Sequence, residues 1–134
     1  LMTLPVLRVL VIVALLAAPI SGCGGSKSSY PIVGVWSGQL TQQGLAPFRV
    51  TAQIRGIAGT ARNTVAYTGI SCNGHWVYRG RPRKAFRFRE VIDTSHSARC
   101  KGVGLVTLTP HGQKQLIYLF HGGGVISRGT LTRR

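Results

Sequence analysis

Acidic side chains are nearly missing from this 134-residue chain: Asp and Glu together number 2, against 17 Lys and Arg. Those two, Glu90 and Asp93, leave general acid–base chemistry with few groups to use. No nucleophile motif surrounds any serine or threonine. The histidines at 75, 96, 111 and 121 show no ligand spacing, and no second ligand pair stands beside a cysteine at metal spacing. The expectation is therefore a protein that is not an enzyme, with no catalytic residue, no metal site and no cofactor. Helical periodicity is also lacking: from Pro31 onward no convincing amphipathic helix can be drawn. Long apolar runs are lacking too. The stretch Val9 to Ile20 falls short of the ~20 residues that span a bilayer.

What the chain has in excess is positive charge, a formal +15. Removing a leader with Arg8 in it leaves 16 basic and 2 acidic side chains, a balance of +14. Such a surface attracts polyanions, among them anionic lipid headgroups, teichoic or nucleic acids and acidic proteins. A plain solvated surface is the other reading of the same composition.

Residues 1–22 have the flanks and apolar length of a secretory leader. The run closes on Ile20-Ser21-Gly22-Cys23. This resembles the lipobox of bacterial lipoproteins, an aliphatic residue and two small ones before a cysteine. The resemblance implies cleavage after Gly22, lipidation of Cys23 and a protein held on the outer face of the cell membrane. Each buried CH₂ of such an anchor adds ~0.8 kcal/mol, so two acyl chains hold stably where one holds marginally. Cys23 is followed by Gly24-Gly25-Ser26-Lys27-Ser28-Ser29, a flexible-linker composition. The chain thus divides into a signal peptide at 1–22, an acylated cysteine with linker at 23–30, and a basic domain at 31–134.

With Cys23 acylated, Cys72 and Cys100 remain, and an oxidising exterior favours their pairing. Two free buried thiols are the alternative. Strand-like runs recur at roughly 33–40, 46–55, 63–69, 73–80, 84–92, 102–109, 114–121 and 124–132, separated by Gly, Pro, Asn and Ser. Phe48, Val50, Ala52 and Ile54 alternate with polar residues, as do Phe86 and Phe88, and Val106 and Leu108. Leu116, Tyr118 and Phe120 share a face while Ile117 and Leu119 oppose them, so the outer surface there is unusually apolar. Short connections predict antiparallel neighbours. Eight short strands with no helix to cover an edge predict a closed up-and-down β-barrel, with a β-sandwich as the alternative. In that meander Cys72 and Cys100 lie two strand spacings apart, ~9.5 Å, so their bond requires one of them to leave the sheet.

Gly34-Val35-Trp36 resembles the G-x-W opening of lipocalin-like barrels, where an arginine of the last strand packs on the tryptophan. The resemblance implies that Arg133 or Arg128 takes that part. A wider set is similar to small extracytoplasmic β-domains of actinobacteria, some of them lipoproteins and others attached to membrane serine/threonine kinases. It comprises Val33-Gly34-Val35-Trp36-Ser37-Gly38, Ser71-Cys72-Asn73-Gly74, Phe88-Arg89-Glu90-Val91-Ile92, Arg99-Cys100-Lys101-Gly102, Val106-Thr107-Leu108-Thr109-Pro110 and Gly129-Thr130-Leu131-Thr132-Arg133. That resemblance implies a sensor-like or ligand-binding domain with Cys72 and Cys100 paired. It implies no kinase activity, since no kinase region is present.

By alternation Glu90 falls on the inward face with Phe86 and Phe88, where a carboxylate needs a partner. Arg128 and Arg79 are the candidates, and Glu90 reads either as a structural ion pair or as a polar anchor in a pocket. Arg79, Arg81, Arg83 and Lys84 form a dense cationic hairpin with Trp76 and Tyr78 close by. Cations beside aromatics suit polyanions. Export disfavours nucleic acid as the partner, so anionic lipid or cell-wall polymer fits better. Asp93 is expected to open a turn at 93–99. The function expected is a tethered ligand-binding module, with Glu90, Trp76 and Tyr78 as candidate ligand contacts. A module that docks on another envelope protein as inhibitor or adaptor is the alternative.

Overall fold

The computed structural model describes residues 32–95, 100 and 103–134. The expected leader, Cys23 and the linker lie outside them, as do residues 96–99 of the turn expected after Asp93. Eight strands follow one another: β1 Gly34–Gln42, β2 Phe48–Ile54, β3 Asn63–Thr68, β4 Cys72–Gly80, β5 Phe86–Ser95, β6 Val103–His111, β7 Gln115–Gly122 and β8 Val125–Arg133. Each pairs antiparallel with the next, and β8 pairs back onto β1 through Trp36 opposite Arg133 and Leu40 opposite Gly129. The sheet is a closed up-and-down barrel, not the alternative sandwich. Closure removes every unpaired strand edge, which the described residues, with no α-helix among them, have no other way to cover.

Alternation decides what fills the interior. Phe48, Val50, Ala52 and Ile54 point inward from β2, Phe86 and Phe88 from β5, Val106 and Leu108 from β6, and Leu116, Tyr118 and Phe120 from β7. An eight-stranded barrel has an interior just wide enough for side chains, and two tryptophans with this aromatic set occupy most of it. β5 runs past its expected end because bulges between Asn73 and Gly74 and between Tyr78 and Gly80 let it follow β4 all the way to Cys72. Asp93 consequently lies inside β5 rather than opening a turn.

Because the strands alternate in direction, the barrel has two dissimilar poles. The chain enters at one, here the proximal pole, which carries the β2–β3, β4–β5 and β6–β7 connections and the end of β8. The proximal pole is plugged. The Trp36 indole Nε1 donates to the Ile32 carbonyl at 2.8 Å, and the Arg133 guanidinium stacks 4.3 Å above its ring. Of the two arginines expected for this role, Arg133 performs it and Arg128 does not. Arg133 Nη1 donates to the Val33 carbonyl at 2.6 Å, and its Nε to that of Gln113 at 3.2 Å. The glycine of the G-x-W motif has a physical reason here. Gly34 sits at φ +143, and a Cβ there would stand 2.6 Å from Arg133 Nη1.

The distal pole carries the β1–β2, β3–β4 and β7–β8 connections and the disulfide. Cys72 opens β4 and Cys100 lies outside the sheet, which brings their Cα atoms within 5.9 Å across the intervening strand.

Candidate functional site

Four strands converge on one buried carboxylate. Glu90 projects inward from β5, opposite Trp76 of β4 and Gly104 of β6. It is only 3% exposed. Its partners are not arginines. The hydroxyl of Tyr67 on β3 donates a very short hydrogen bond to Oε2, and the Trp76 indole Nε1 donates to the same oxygen at 2.7 Å. The Tyr118 hydroxyl of β7 lies 2.9 Å from that of Tyr67. Tyr67 has one proton and gives it to Glu90, so Tyr118 is the donor in that contact. Arg79 and Arg128, expected to pair with Glu90, are exposed on the outer surface because their strand positions have outward parity. Hydrogen-bond donors without charge therefore replace the expected ion pair.

Burial pushes the Glu90 carboxyl above the usual carboxylate range, opposed by the bonds from Tyr67 and Trp76 that favour the ionised form. Burial also raises the phenols of Tyr67 and Tyr118 well above their ordinary value, so both remain protonated donors. Rings hold the donors in place. Trp76 packs on Phe88 at 5.8 Å and on Tyr118 at 6.2 Å, and Phe48 meets Tyr67 edge-on at 6.1 Å.

Both bonds to Glu90 fall on Oε2; among the described residues Oε1 has no hydrogen-bond partner. Glu90 borders a cavity of about 30 Å³ at the distal mouth, lined also by Tyr67, Ile70, Cys72, Cys100 and Tyr118. A space of that size admits a water molecule or a group little larger. Gly104 matters to its shape, because a Cβ at Gly104 would overlap the Phe120 ring, which lies where a side chain opposite Glu90 would go.

The other candidates lie elsewhere. Trp76 is buried in the interior as a Glu90 partner, and Tyr78 is half-buried against Phe88 at 5.6 Å. Neither ring belongs to the cationic surface. Arg79, Arg81, Arg83 and Lys84 are all exposed at the proximal pole, where Pro82–Lys84 forms a single 3₁₀ turn. The β2–β3 connection adds Arg55 and Arg62, the β6–β7 turn adds Lys114, and β8 ends on Arg133 and Arg134. Asp93 is half-exposed on the distal half and pairs with His75 Nδ1 at 2.8 Å, so that histidine is not the isolated surface group its spacing suggests. On the outer wall, Val103, Leu105, Ile117 and Ile126 are 56%, 43%, 44% and 43% exposed, so the apolar face read from β7 is open to solvent.

Sequence reasoning found Glu90 and missed Tyr67 and Tyr118. The signal was available. Both tyrosines keep phase with inward apolar neighbours, and a buried phenol needs a hydrogen-bond partner. No protein-family model matches the chain, and no curated protein matches it in sequence.

Proposed function

We propose that this chain is a membrane-anchored extracytoplasmic lipoprotein whose barrel is a non-catalytic, sensor-like binding module, with Glu90 at the floor of its distal mouth as the ligand's polar anchor. One observation carries the binding reading: a buried carboxylate whose bonds among the described residues both fall on Oε2 borders a cavity at the distal mouth. No buried side-chain oxygen among the described residues is left unsatisfied, so the place beside Oε1 is one that water or a ligand donor can reach through the cavity. The interior holds side chains and the cavity is about 30 Å³, which restricts the inserted part to a small donor group such as a primary ammonium or an amide. The rest of the ligand would lie against the rim formed by Ile70, Ile92 and the disulfide. Trp76 is then a positioning residue for Glu90, and Tyr78 supports the wall through Phe88. The anchor rests on Ile20-Ser21-Gly22-Cys23 and the apolar run before it.

Native mass spectrometry of the protein extracted from membranes tests the binding half. A small molecule is expected on the wild type and lost from Glu90→Gln. An unliganded wild type that takes up no amine or amide from a soaked library refutes it. Metabolic labelling with a fatty-acid analogue tests the anchor, with label expected on the wild type and none on Cys23→Ser. A second reading, docking on an envelope protein, is favoured by the exposed apolar side chains of Leu105, Ile117 and Ile126 on the outer wall of β6, β7 and β8. Crosslinking from these positions to one defined partner, with an empty mouth, would select it.

A further inference from the structure

We propose that the proximal pole of the barrel is a docking surface for anionic phospholipid headgroups, set by the fold to lie against the membrane to which Cys23 is tethered. The inference rests on the lipid-anchored reading and adds an orientation to it: cationic pole down, distal mouth outward.

The charge distribution is the first support. Of the thirteen Lys and Arg among the described residues, ten lie at or next to the proximal pole, the three exceptions being Arg49, Arg89 and Arg128. No side-chain carboxylate accompanies them: Glu90 is buried in the interior and Asp93 pairs with His75 on the distal half. Chain topology explains the clustering. In an up-and-down barrel alternate connections share a pole, and these ten cations lie in or beside the β2–β3, β4–β5 and β6–β7 connections and at the end of β8.

The chain's point of entrance is the second support. Ile32 is pinned at the proximal pole by the Trp36 indole. Nine Cα-to-Cα steps separate it from Cys23. Fully extended they reach ~30 Å, and a nine-residue strand is itself about 30 Å long. Strands in such a barrel tilt by about 35–45°, so the wall is roughly 21–25 Å high, and the tether would have to stretch to about three quarters of its full length to bring the distal pole to the bilayer. The proximal pole reaches the surface with slack to spare, well inside the ~8 Å over which charge acts at physiological salt.

Local structure is the third support. Arg83 and Lys84 stand at φ +49 and +67, a backbone region that such side chains rarely adopt. The turn that holds them follows Pro82 and presents both side chains to solvent. Arg81 is held 4.5 Å over the Phe86 ring. Near a charged leaflet each such cation raises partitioning roughly fivefold, so the four of this hairpin supply a second attachment that orients the barrel on the surface where the lipid anchor holds it.

The test places the acylated full chain in nanodiscs of phosphatidylcholine with and without phosphatidylglycerol and reads amide hydrogen exchange at both poles. The connections at 81–85 and 112–114 should exchange about tenfold more slowly in the anionic discs. The protection should vanish at high salt and in the combined Arg79→Gln, Arg81→Gln, Arg83→Gln, Lys84→Gln variant, while 43–47 and 123–124 stay unchanged. Protection at the distal connections, protection that ignores lipid charge, or none at all overturns the proposal. The barrel supplies a separate arm. Its core comes from residues 32–131 and every strand edge is paired, so residues 24–134 contain a complete folding unit. Co-sedimentation of that piece with phosphatidylglycerol vesicles, weakened by the same four substitutions, supports docking even if Cys23 proves unacylated. An acylated chain whose barrel fails to sediment keeps the anchor and removes the docking surface. Tighter binding of the barrel to soluble wall polymer than to vesicles overturns the assignment to lipid.

Discussion

Tyr67→Phe is the sharpest probe of the buried carboxylate. It removes a single oxygen and leaves the ring that meets Phe48 edge-on. That oxygen serves two bonds, one donated to Glu90 and one accepted from Tyr118. A hydrogen bond to a charged acceptor contributes ~1.5–3 kcal/mol and a neutral one about 1 kcal/mol. The expected loss is therefore about 2–4 kcal/mol, or roughly 10–20 °C in the melting temperature of a domain this size. The loss should depend on pH in one direction. Tyr67 favours the ionised form of Glu90, so without it the Glu90 carboxyl rises further. The variant's deficit then grows as pH climbs from the raised wild-type value through the variant's still higher one. Urea unfolding of the wild type, Tyr67→Phe, Glu90→Gln and the double variant, at acidic and mildly alkaline pH, gives both the loss and the coupling energy. A deficit that is equal at the two pH values and unchanged in the Glu90→Gln background would refute the hydrogen-bonded picture.

Glu90→Gln alone should flatten the stability profile. The native carboxyl titrates above its unfolded value, so its contribution is fully present below the unfolded value and lost as pH rises through the native one. The wild-type advantage over Glu90→Gln should thus shrink with rising pH, and a constant difference would count against it. Gly34→Ala places a Cβ 2.6 Å from Arg133 Nη1 at a φ of +143, which should cost more than the ~1 kcal/mol usual for a glycine at positive φ and change the Trp36 fluorescence; an unaltered spectrum and midpoint would refute the stacking argument. Opening the disulfide, which closes a separation of 28 residues, should lower stability by about 3–4 kcal/mol. Equal urea midpoints with and without reductant would exclude that contribution.

Most of the barrel was legible in the chain because a strand's faces are a local property. A residue's side follows from its neighbour's, so Phe48 to Ile54, Phe86 and Phe88, and Leu116 to Phe120 declared their inward positions without any knowledge of what lay across from them. The same parity put Glu90 inside, and strand spacing required one of the two cysteines to leave the sheet; only the structure decided that it is Cys100, while Cys72 stays in β4. Parity is silent about partners. Whether the sheet closes depends on β8 meeting β1, and the same alternation would serve a sandwich. The donors to Glu90 come from β3 and β4, with Tyr118 of β7 behind them, and only closure brings these strands around one point. An arginine seemed the natural counter-ion for want of that geometry, yet Arg79 and Arg128 have outward parity and lie outside the wall. The cations declared themselves as a composition and one hairpin. That ten of the thirteen among the described residues gather at one pole, beside Ile32, is a consequence of alternate connections sharing an end, and so belongs to the fold rather than to any stretch of residues.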